Sequence, residues 1–287
     1  MMQAVPQNPS PADTALWEIH KYFESRTGMS FDMSGNFPDR VRDYMRAKRV
    51  KDAAELLKAI RSSSVEYESL LDRLLARDGG FYRYPEMLGA LEMLALPDIH
   101  MRKFWDAPRS LRIWVVGCGI GYEAYSVAMT VADALQLSDA WVVEILATDC
   151  SRNAIQHAQR GVFSAAELET LPSAGMKEAN FARIAGQYLV KPRIRNLVTF
   201  SHAGLVQSAY MGHFDCIFCT DVLTLVGETQ RSAIAERLFD MLEPGGYLFL
   251  PRSAVVGFGE PLPAGDIAAY HKPTAIPKLR DEYAQEV

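Results

Sequence analysis

The chain has 287 residues, of which 49% are hydrophobic and 23% charged, and its formal net charge is −5. This composition is that of a folded globular protein with one large or two small domains, and the acidic balance argues against a general nucleic-acid binder. The sequence contains no apolar run near the roughly 20 residues of a membrane span, and residues 1–11 lack the apolar core of a signal peptide. We therefore expect a cytoplasmic protein that does not span a membrane.

The first third of the chain predicts helices and no strands. Helical spacing of apolar residues covers the segments 14–27, 39–50, 52–62 and 65–77. Two glycines, Gly79 and Gly80, then interrupt the pattern, and another helix begins after Pro85. We predict an all-helical N-terminal domain over residues 12–84, followed by a linker helix and connection over 85–110.

From residue 111 onward the sequence predicts an alternation of strands and helices. The predicted strands are 112–116, 142–148, 196–201, 214–219 and 247–251, with 266–272 as one last edge strand. The predicted helices are 123–135, 151–159 and 229–242, with shorter helical patterns at 165–171 and 177–184. Such alternation indicates a mostly parallel sheet with crossover helices. We predict a Rossmann-like α/β domain over 111–275 with a short extended excursion near 185–195.

Four cysteines occur in or next to the predicted strands, and two of them form a CxxC motif, Cys216 and Cys219. This spacing could indicate zinc or redox chemistry. Both residues lie in one predicted strand, however, where side chains three positions apart point to opposite faces. We therefore predict that these cysteines pack as small hydrophobic residues, and we expect no metal site.

The most informative motif is a glycine turn between the first predicted strand and the helix after it. The strand ends in a GxGxG pattern formed by Gly117, Gly119 and Gly121. Glycines allow a sharp turn and let a ligand lie against the main chain. The GxGxG spacing, unlike GxGxxG, favours a ligand without a pyrophosphate, and S-adenosylmethionine fits that description better than a dinucleotide. Any tight strand-to-helix connection can carry glycines, so the motif alone leaves both interpretations open.

A carboxylate at the end of the second predicted strand supports nucleoside binding. Because parallel strands bring their carboxyl ends to one edge, Asp149 is expected beside the glycine turn. A carboxylate there can accept hydrogen bonds from both ribose hydroxyls of a nucleoside. The alternative is that Asp149 is the N-cap of the helix near Ser151. Together with the glycine turn, Asp149 favours a nucleoside ligand.

Ordered motifs from about residue 15 to 272 resemble the CheR-type chemotaxis receptor methyltransferases. The matching segments are YFESRTG (22–28), GCGIGYEAYSVAM (117–129), ATD (147–149), RGVF (160–163), FDCIFCTDVL (214–223) and PGGYLFL (244–250). The second of these, for example, is similar to the family pattern GCSTGEEPYSIAM. The resemblance implies a class I S-adenosylmethionine-dependent methyltransferase fold. It also implies methyl transfer to receptor glutamates, with S-adenosylhomocysteine as the product.

The same resemblance implies roles for individual residues. Glu123 would hold the amino-acid part of the cofactor, and Asp149 its ribose. The residues implied to line the adenine and methionine side are Leu205, Asp221 and Val222. Arg83 would position the substrate carboxylate, a task suited to a guanidinium because its planar fork pairs with a carboxylate.

A basic face on the second predicted helix suggests a partner surface. Arg42, Arg46 and Arg49 are spaced at i, i+4 and i+7 and share one side of the helix. The resemblance implies that this helix docks an acidic receptor segment. Any solvated helix can show the same pattern, and Asp39 and Asp43 dilute the positive charge, so both interpretations stand.

Several positions near the expected reaction centre differ from the family pattern. Gly79, Thr220, Asp221 and Leu225 stand where the motifs have Thr, Arg, Asn and Tyr. Our first hypothesis is active methyl transfer to glutamates of chemotaxis-type receptors or related signalling proteins. The alternative is a diverged, non-catalytic protein that binds S-adenosylmethionine or acts as a scaffold in bacterial signalling. A third hypothesis is a methyltransferase of the same fold with a small-molecule substrate.

Overall fold

A computed structural model describes residues 11–76, 79–135, 141–204, 212–252, 254, 261–264 and 267–274. The helices before the sheet are α1 (Pro11–Thr27), α2 (Phe37–Lys48), α3 (Ala53–Ser62), α4 (Ser64–Leu75), α5 (Pro85–Ala90) and α6 (Leu96–Arg102). A π-helical turn, Leu91–Ala95, joins α5 to α6. Helices α3 and α4 begin where the sequence supplies N-caps, since Asp52 and Ser63 accept hydrogen bonds from backbone N–H groups of the first turn. The predicted N-terminal helices are therefore confirmed, with small shifts at their ends.

Strands and helices alternate in the rest of the chain. The strands are β1 (Arg109–Val116), β2 (Trp141–Asp149), β3 (Val162–Phe163), β4 (Phe181–Ile184), β5 (Gln187–Val190), β6 (Val198–His202), β7 (Phe214–Phe218), β8 (Leu242–Pro251), β9 (Leu262–Ala264) and β10 (Ile267–His271). The helices are α7 (Tyr122–Ala134), α8 (Arg152–Arg160), α9 (Ala174–Asn180), α10 (Pro192–Arg195) and α11 (Glu228–Asp240). Short 3₁₀ turns cover Ala166–Leu168 and Val222–Leu225.

Seven strands form the central sheet, in the order β6-β2-β1-β7-β8-β10-β9. Strands β6, β2, β1, β7 and β8 are parallel, and β10 is antiparallel to both β8 and β9. The predicted Rossmann-like, mostly parallel sheet is confirmed. The strand order reverses between β1 and β7, and in open α/β sheets ligands bind outside the carboxyl ends of the strands at such a point.

Two predicted elements differ from the structure. Residues 177–184 were expected to be helical, but α9 ends at Asn180 and the next four residues form β4. The reason is tertiary: Phe181 is buried against the rings of Phe81 and Phe163, and β4 pairs with β5 in a three-stranded sheet with β3. The last predicted strand is also not at the edge, because β9 pairs along the outer side of β10.

Apolar side chains on the two faces of the sheet belong to two clusters. On one face, Ile113 and Cys216 pack in the cluster that contains α7. On the other face, Trp114 and Cys219 pack in the cluster that contains residues of α1–α4 and α11. The two cysteines of the CxxC motif thus lie in different layers, as predicted, and both are free thiols. No helix within the described ranges is long and apolar enough to cross a bilayer.

The domain division at residues 12–84, 85–110 and 111–275 stays a prediction. Helices α1–α4 share an apolar cluster with one face of the sheet. The side chains of these helices are therefore positioned against the strands that carry the candidate site.

Candidate active site

A cavity of about 500 Å³ opens at the carboxyl ends of β1 and β2, next to the residues that follow β7. This is the edge that the strand order predicts for a ligand, and the volume is within the range of about 300–1,000 Å³ found for small-molecule sites. The lining residues with charged or strongly polar groups include Arg83, Tyr84, Glu123, Asp149, Ser151 and Asp221. Residues that are far apart in sequence therefore face one shared space.

The glycine turn forms the floor of this cavity, and the structural requirement for glycine differs between its positions. Gly117, Gly119 and Gly121 have φ angles of 71°, 54° and 101°, which lie in the region that side chains disfavour. A Cβ at Gly117 would lie 2.8 Å from Cβ of Val222, whereas a Cβ at Gly119 would have no atom within 4 Å. Only Gly119 therefore leaves open space beside the cavity. Gly117 allows the close packing of Val222.

Asp149 fixes the glycine turn to the end of β2. Its side chain is buried, and its Oδ2 accepts a hydrogen bond of 2.9 Å from the backbone N–H of Gly119. Its Oδ1 accepts a bond of 2.8 Å from the backbone N–H of Ser151. The N-cap interpretation of Asp149 is wrong, because the N-cap of α8 is Ser151, whose hydroxyl accepts from Ala154 N–H. Each carboxylate oxygen can accept more than one hydrogen bond, so Asp149 retains the capacity to accept from a ribose.

Glu123 is positioned by a residue that the sequence analysis considered only as a departure from the family pattern. The hydroxyl of Thr220 donates a hydrogen bond of 2.6 Å to Oε2 of Glu123, across 97 positions of sequence. Thr220 is buried and follows Cys219, just beyond the end of β7. Glu123 lies in the first turn of α7. The bond therefore fixes the orientation of the Glu123 carboxylate at the cavity wall.

A third cluster joins Arg83, Tyr84 and Asp221. Nη1 of Arg83 lies 3.1 Å from Oδ2 of Asp221, and the hydroxyl of Tyr84 donates a bond of 2.6 Å to Oδ1. Burial, and then the hydrogen bond to Asp221, raise the pKa of the Tyr84 phenol above its ordinary value, so this group stays protonated and donates. The structure thus brings into contact two residues that the sequence analysis had assigned to different molecules, Arg83 to the acceptor substrate and Asp221 to the cofactor.

Local packing explains why Arg83 reaches this position. The ring of Phe81 is fully buried and makes edge contacts with Tyr122 and Phe163 at centroid distances of 5.0 and 4.9 Å. The next residue, Tyr82, has a φ of 54°, and its backbone N–H donates to Oγ of Ser126. The anchored Phe81 and the turn at Tyr82 direct the chain so that Arg83 lies at the cavity.

Most of the predicted site residues meet at the cavity. Those that line it are Arg83, Gly117, Gly119, Glu123, Asp149 and Asp221. Gly121 is the N-cap residue of α7, and Val222 packs behind Gly117. Leu205 lies outside the described residues. The cofactor and substrate roles of these residues stay predictions.

Asp72 is a cavity residue that the sequence analysis missed. Its carboxylate on α4 accepts hydrogen bonds from Oγ of Ser151 at 2.5 Å and from Nδ2 of Asn153 at 2.7 Å. These bonds tie the N-terminal helices to the turn after β2. No local pattern could have shown this, because Asp72 reads as an ordinary polar position of a helix.

The predicted basic face on α2 is partly neutralised within the helix. Arg42 pairs with Asp39 at 2.7 Å, and Arg46 pairs with Asp43 at 3.1 Å. The helix was predicted to extend to residue 50 but ends at Lys48, so Arg49 lies in the left-handed C-cap position and not within the helix. Binding of an acidic segment at this surface stays a prediction.

Comparison with known proteins shows similarity to methyltransferases of one family. Residues 77–262 match the family model described as "CheR methyltransferase, SAM binding domain". The chain is 27% identical over 255 residues to "Chemotaxis protein methyltransferase 2" of Vibrio cholerae serotype O1, covering 84% of this chain and 85% of that protein. It is 28% identical over 251 residues to "Chemotaxis protein methyltransferase 1" of Pseudomonas aeruginosa, covering 84% and 90%.

A third relative is longer than the matched region. The chain is 26% identical over 240 residues to "Probable biofilm formation methyltransferase WspC" of Pseudomonas aeruginosa. The match covers 81% of this chain but only 55% of that relative.

Proposed function

The chain belongs to the CheR methyltransferase family, and on this premise we propose that it methylates glutamate side chains of chemotaxis-type receptors or related signalling proteins. The predicted cofactor, S-adenosylmethionine, is confirmed by the match to the family's SAM-binding domain. The observation that supports a glutamate carboxylate as the methyl acceptor is the position of Arg83. Its guanidinium faces the same cavity as the glycine turn and Asp149, so one space can hold both a cofactor and an acceptor carboxylate.

The residues of the cavity fit this cofactor. Gly119 leaves open space beside the main chain, and the carboxylates of Glu123 and Asp149 suit an ammonium group and ribose hydroxyls, respectively. When bound, S-adenosylmethionine supplies a methyl carbon whose bond to sulfur breaks as a carboxylate oxygen bonds to it, giving a methyl ester and S-adenosylhomocysteine. This transfer needs no added oxidant and no proton.

The protein's own contribution is to bind, to orient and to exclude water. A glutamate carboxylate is already ionised at neutral pH, so no general base has to remove a proton. Rate enhancement then comes from proximity and orientation of the two reactants. Arg83 would hold the acceptor carboxylate. Glu123, oriented by Thr220, would bind the ammonium group of the cofactor. Asp149 would accept hydrogen bonds from both the glycine turn and the ribose, and so hold the ribose beside the turn.

The direct test is transfer of a radiolabelled methyl group from S-adenosylmethionine to receptor-containing bacterial membranes. We expect label that base treatment releases as methanol, because methyl esters of glutamate hydrolyse in base. Tight binding of S-adenosylhomocysteine without any transfer would instead support the non-catalytic alternative. Transfer to a small molecule but not to membranes would support the third hypothesis.

Replacing Arg83 with glutamine tests the acceptor role of the guanidinium. We expect kcat/KM for the receptor to fall about 30-fold, since a hydrogen bond to a charged group contributes roughly 1.5–3 kcal/mol. The affinity for S-adenosylhomocysteine, measured by calorimetry, should change by less than about threefold if Arg83 acts on the acceptor. Arg61→Gln is the control, because Arg61 forms an exposed pair with Glu18 on the N-terminal helices. An equal loss of cofactor affinity in the Arg83 variant would contradict this assignment.

We also propose that the basic face of α2 binds an acidic receptor segment. Because Arg46 is already paired with Asp43, a partner has to compete with that exposed pair, and its binding should weaken as salt rises. Arg46→Glu is expected to raise KM for receptor membranes several-fold at low salt, with kcat unchanged. Arg61→Glu serves as the matched charge reversal. The same rise in KM in both variants would mean that α2 has no specific role.

A further inference from the structure

The pairing of Arg83 with Asp221 bears on how an acceptor reaches the site. We propose that Asp221 is a specificity-determining residue, because its carboxylate competes with carboxylate ligands for the guanidinium of Arg83. The inference rests on the proposed function, in which Arg83 holds the acceptor glutamate. An acceptor would then bind by exchange: its carboxylate takes the place of Asp221 on Arg83.

The geometry of the cluster makes Asp221 a fixed competitor. One of its oxygens lies 3.1 Å from Nη1 of Arg83, and the other accepts the 2.6 Å bond from Tyr84. The guanidinium also lies over the ring of Tyr84, at 5.2 Å from the centroid. Tyr84 therefore orients both members of the pair. Because the Asp221 side chain is already held in place, pairing with Arg83 costs it little conformational entropy.

The ion pair is nevertheless of a kind that can exchange. The contact uses one nitrogen of the guanidinium, so it is not the bidentate arrangement that gives the strongest arginine–carboxylate pairs. The side chains of Arg83 and Asp221 retain 39% and 20% of their accessible surface, so water and salt screen the pair. A competitor of this strength is expected to reduce the apparent affinity of an acceptor by about threefold to tenfold, without preventing binding.

The surroundings of the pair add to this effect. Among the residues that the structure describes, the carboxylates that line the same cavity are Asp72, Glu123, Asp149 and Asp221, and the arginines are Arg83 and Arg160. Of these described side chains, an incoming carboxylate meets more negative than positive groups. The family motif has asparagine at the position of Asp221, and a neutral amide does not compete for Arg83 by charge. The aspartate is thus a feature of this chain that disfavours weakly bound acidic acceptors.

The first test compares Asp221→Asn with the unchanged protein. We expect KM for receptor membranes to fall about threefold to tenfold, because the variant frees Arg83 and keeps the side-chain shape. Tyr84→Phe keeps the charge of Asp221 but removes the hydrogen bond that orients it, so KM should fall less in that variant than in Asp221→Asn. In the Arg83→Gln background, Asp221→Asn should no longer lower KM, since the two substitutions act through one contact.

A second measurement reports on Arg83 without needing any acceptor. Phenylglyoxal modifies accessible guanidinium groups, and mass spectrometry gives the rate at each arginine. We expect Arg83 to react several-fold faster in Asp221→Asn than in the unchanged protein, while Arg61, a distant exposed residue, reacts equally in both. Unchanged labelling of Arg83, or a fall in KM that persists in the Arg83→Gln background, would overturn the inference. Faster labelling of Arg83 with methyl transfer by neither protein would overturn the proposed function and support the pairing of Arg83 with Asp221.

Discussion

Replacing Asp149 with alanine is expected to weaken S-adenosylhomocysteine binding by about 100-fold or more, because two kinds of hydrogen bond are lost together. The carboxylate accepts from the backbone of Gly119 and Ser151, so its removal frees the glycine turn from the end of β2. It also removes the acceptor that we assign to the ribose hydroxyls. Hydrogen bonds to a charged group contribute roughly 1.5–3 kcal/mol each, and about 2.7 kcal/mol corresponds to 100-fold. Isothermal titration calorimetry measures the loss directly.

Two further variants separate the loss of the proposed ribose contact from the loss of the bonds that hold the glycine turn. Asp149→Asn keeps one oxygen acceptor, so an affinity between those of the alanine variant and the unchanged protein is expected. Asp72→Asn removes the charge of another cavity carboxylate, one that accepts hydrogen bonds from side chains and not from the glycine turn. This variant should change the affinity for S-adenosylhomocysteine by less than about fivefold. If Asp149→Ala binds the product as tightly as Asp72→Asn does, Asp149 has no role in the cofactor site.

The proximity of Asp149 to the glycine turn could be predicted from sequence, because its signals are local. A strand that ends in GxGxG and a second strand that ends in Asp149 need only the rule that parallel strands share a carboxyl edge. The structure places the Asp149 carboxylate 2.9 Å from the N–H of Gly119, which is the proximity that this rule predicts. The same local signals did not distinguish Gly117, which packs against Val222, from Gly119, which faces open space.

The contacts of Arg83 and Thr220 could not be predicted from sequence, because they join distant parts of the chain. Arg83 and Asp221 are 138 positions apart, and no periodicity or motif spacing relates them. Thr220 was known only as a departure from the family pattern, and its bond to Glu123 depends on how β7 lies beside the start of α7. For the same reason residues 181–184 looked helical from local propensity, although burial of Phe181 and pairing with β5 make them a strand. Tertiary contacts decide such positions.

The second large effect is expected from Gly117→Ala, which should lower the free energy of unfolding by about 2–5 kcal/mol. A φ of 71° costs an alanine roughly 1–2 kcal/mol relative to a right-handed conformation. The added Cβ would also lie 2.8 Å from Cβ of Val222, which is buried, and overpacking of this kind typically costs about 1–3 kcal/mol. Denaturant unfolding followed by circular dichroism gives the difference.

Gly119→Ala is the matched control for the turn, because its φ of 54° is also left-handed but no atom lies within 4 Å of the added Cβ. Only the conformational cost of about 1–2 kcal/mol should remain in that variant. Val222→Ala combined with Gly117→Ala should be less destabilising than the sum of the two single changes, because the smaller side chain removes the clash. Equal losses in the two glycine variants, or strict additivity in the double variant, would show that Val222 is not what requires a glycine at position 117. The contact matters for the proposed function as well, since Val222 directly follows Asp221 and a displaced Val222 would shift the carboxylate that faces Arg83.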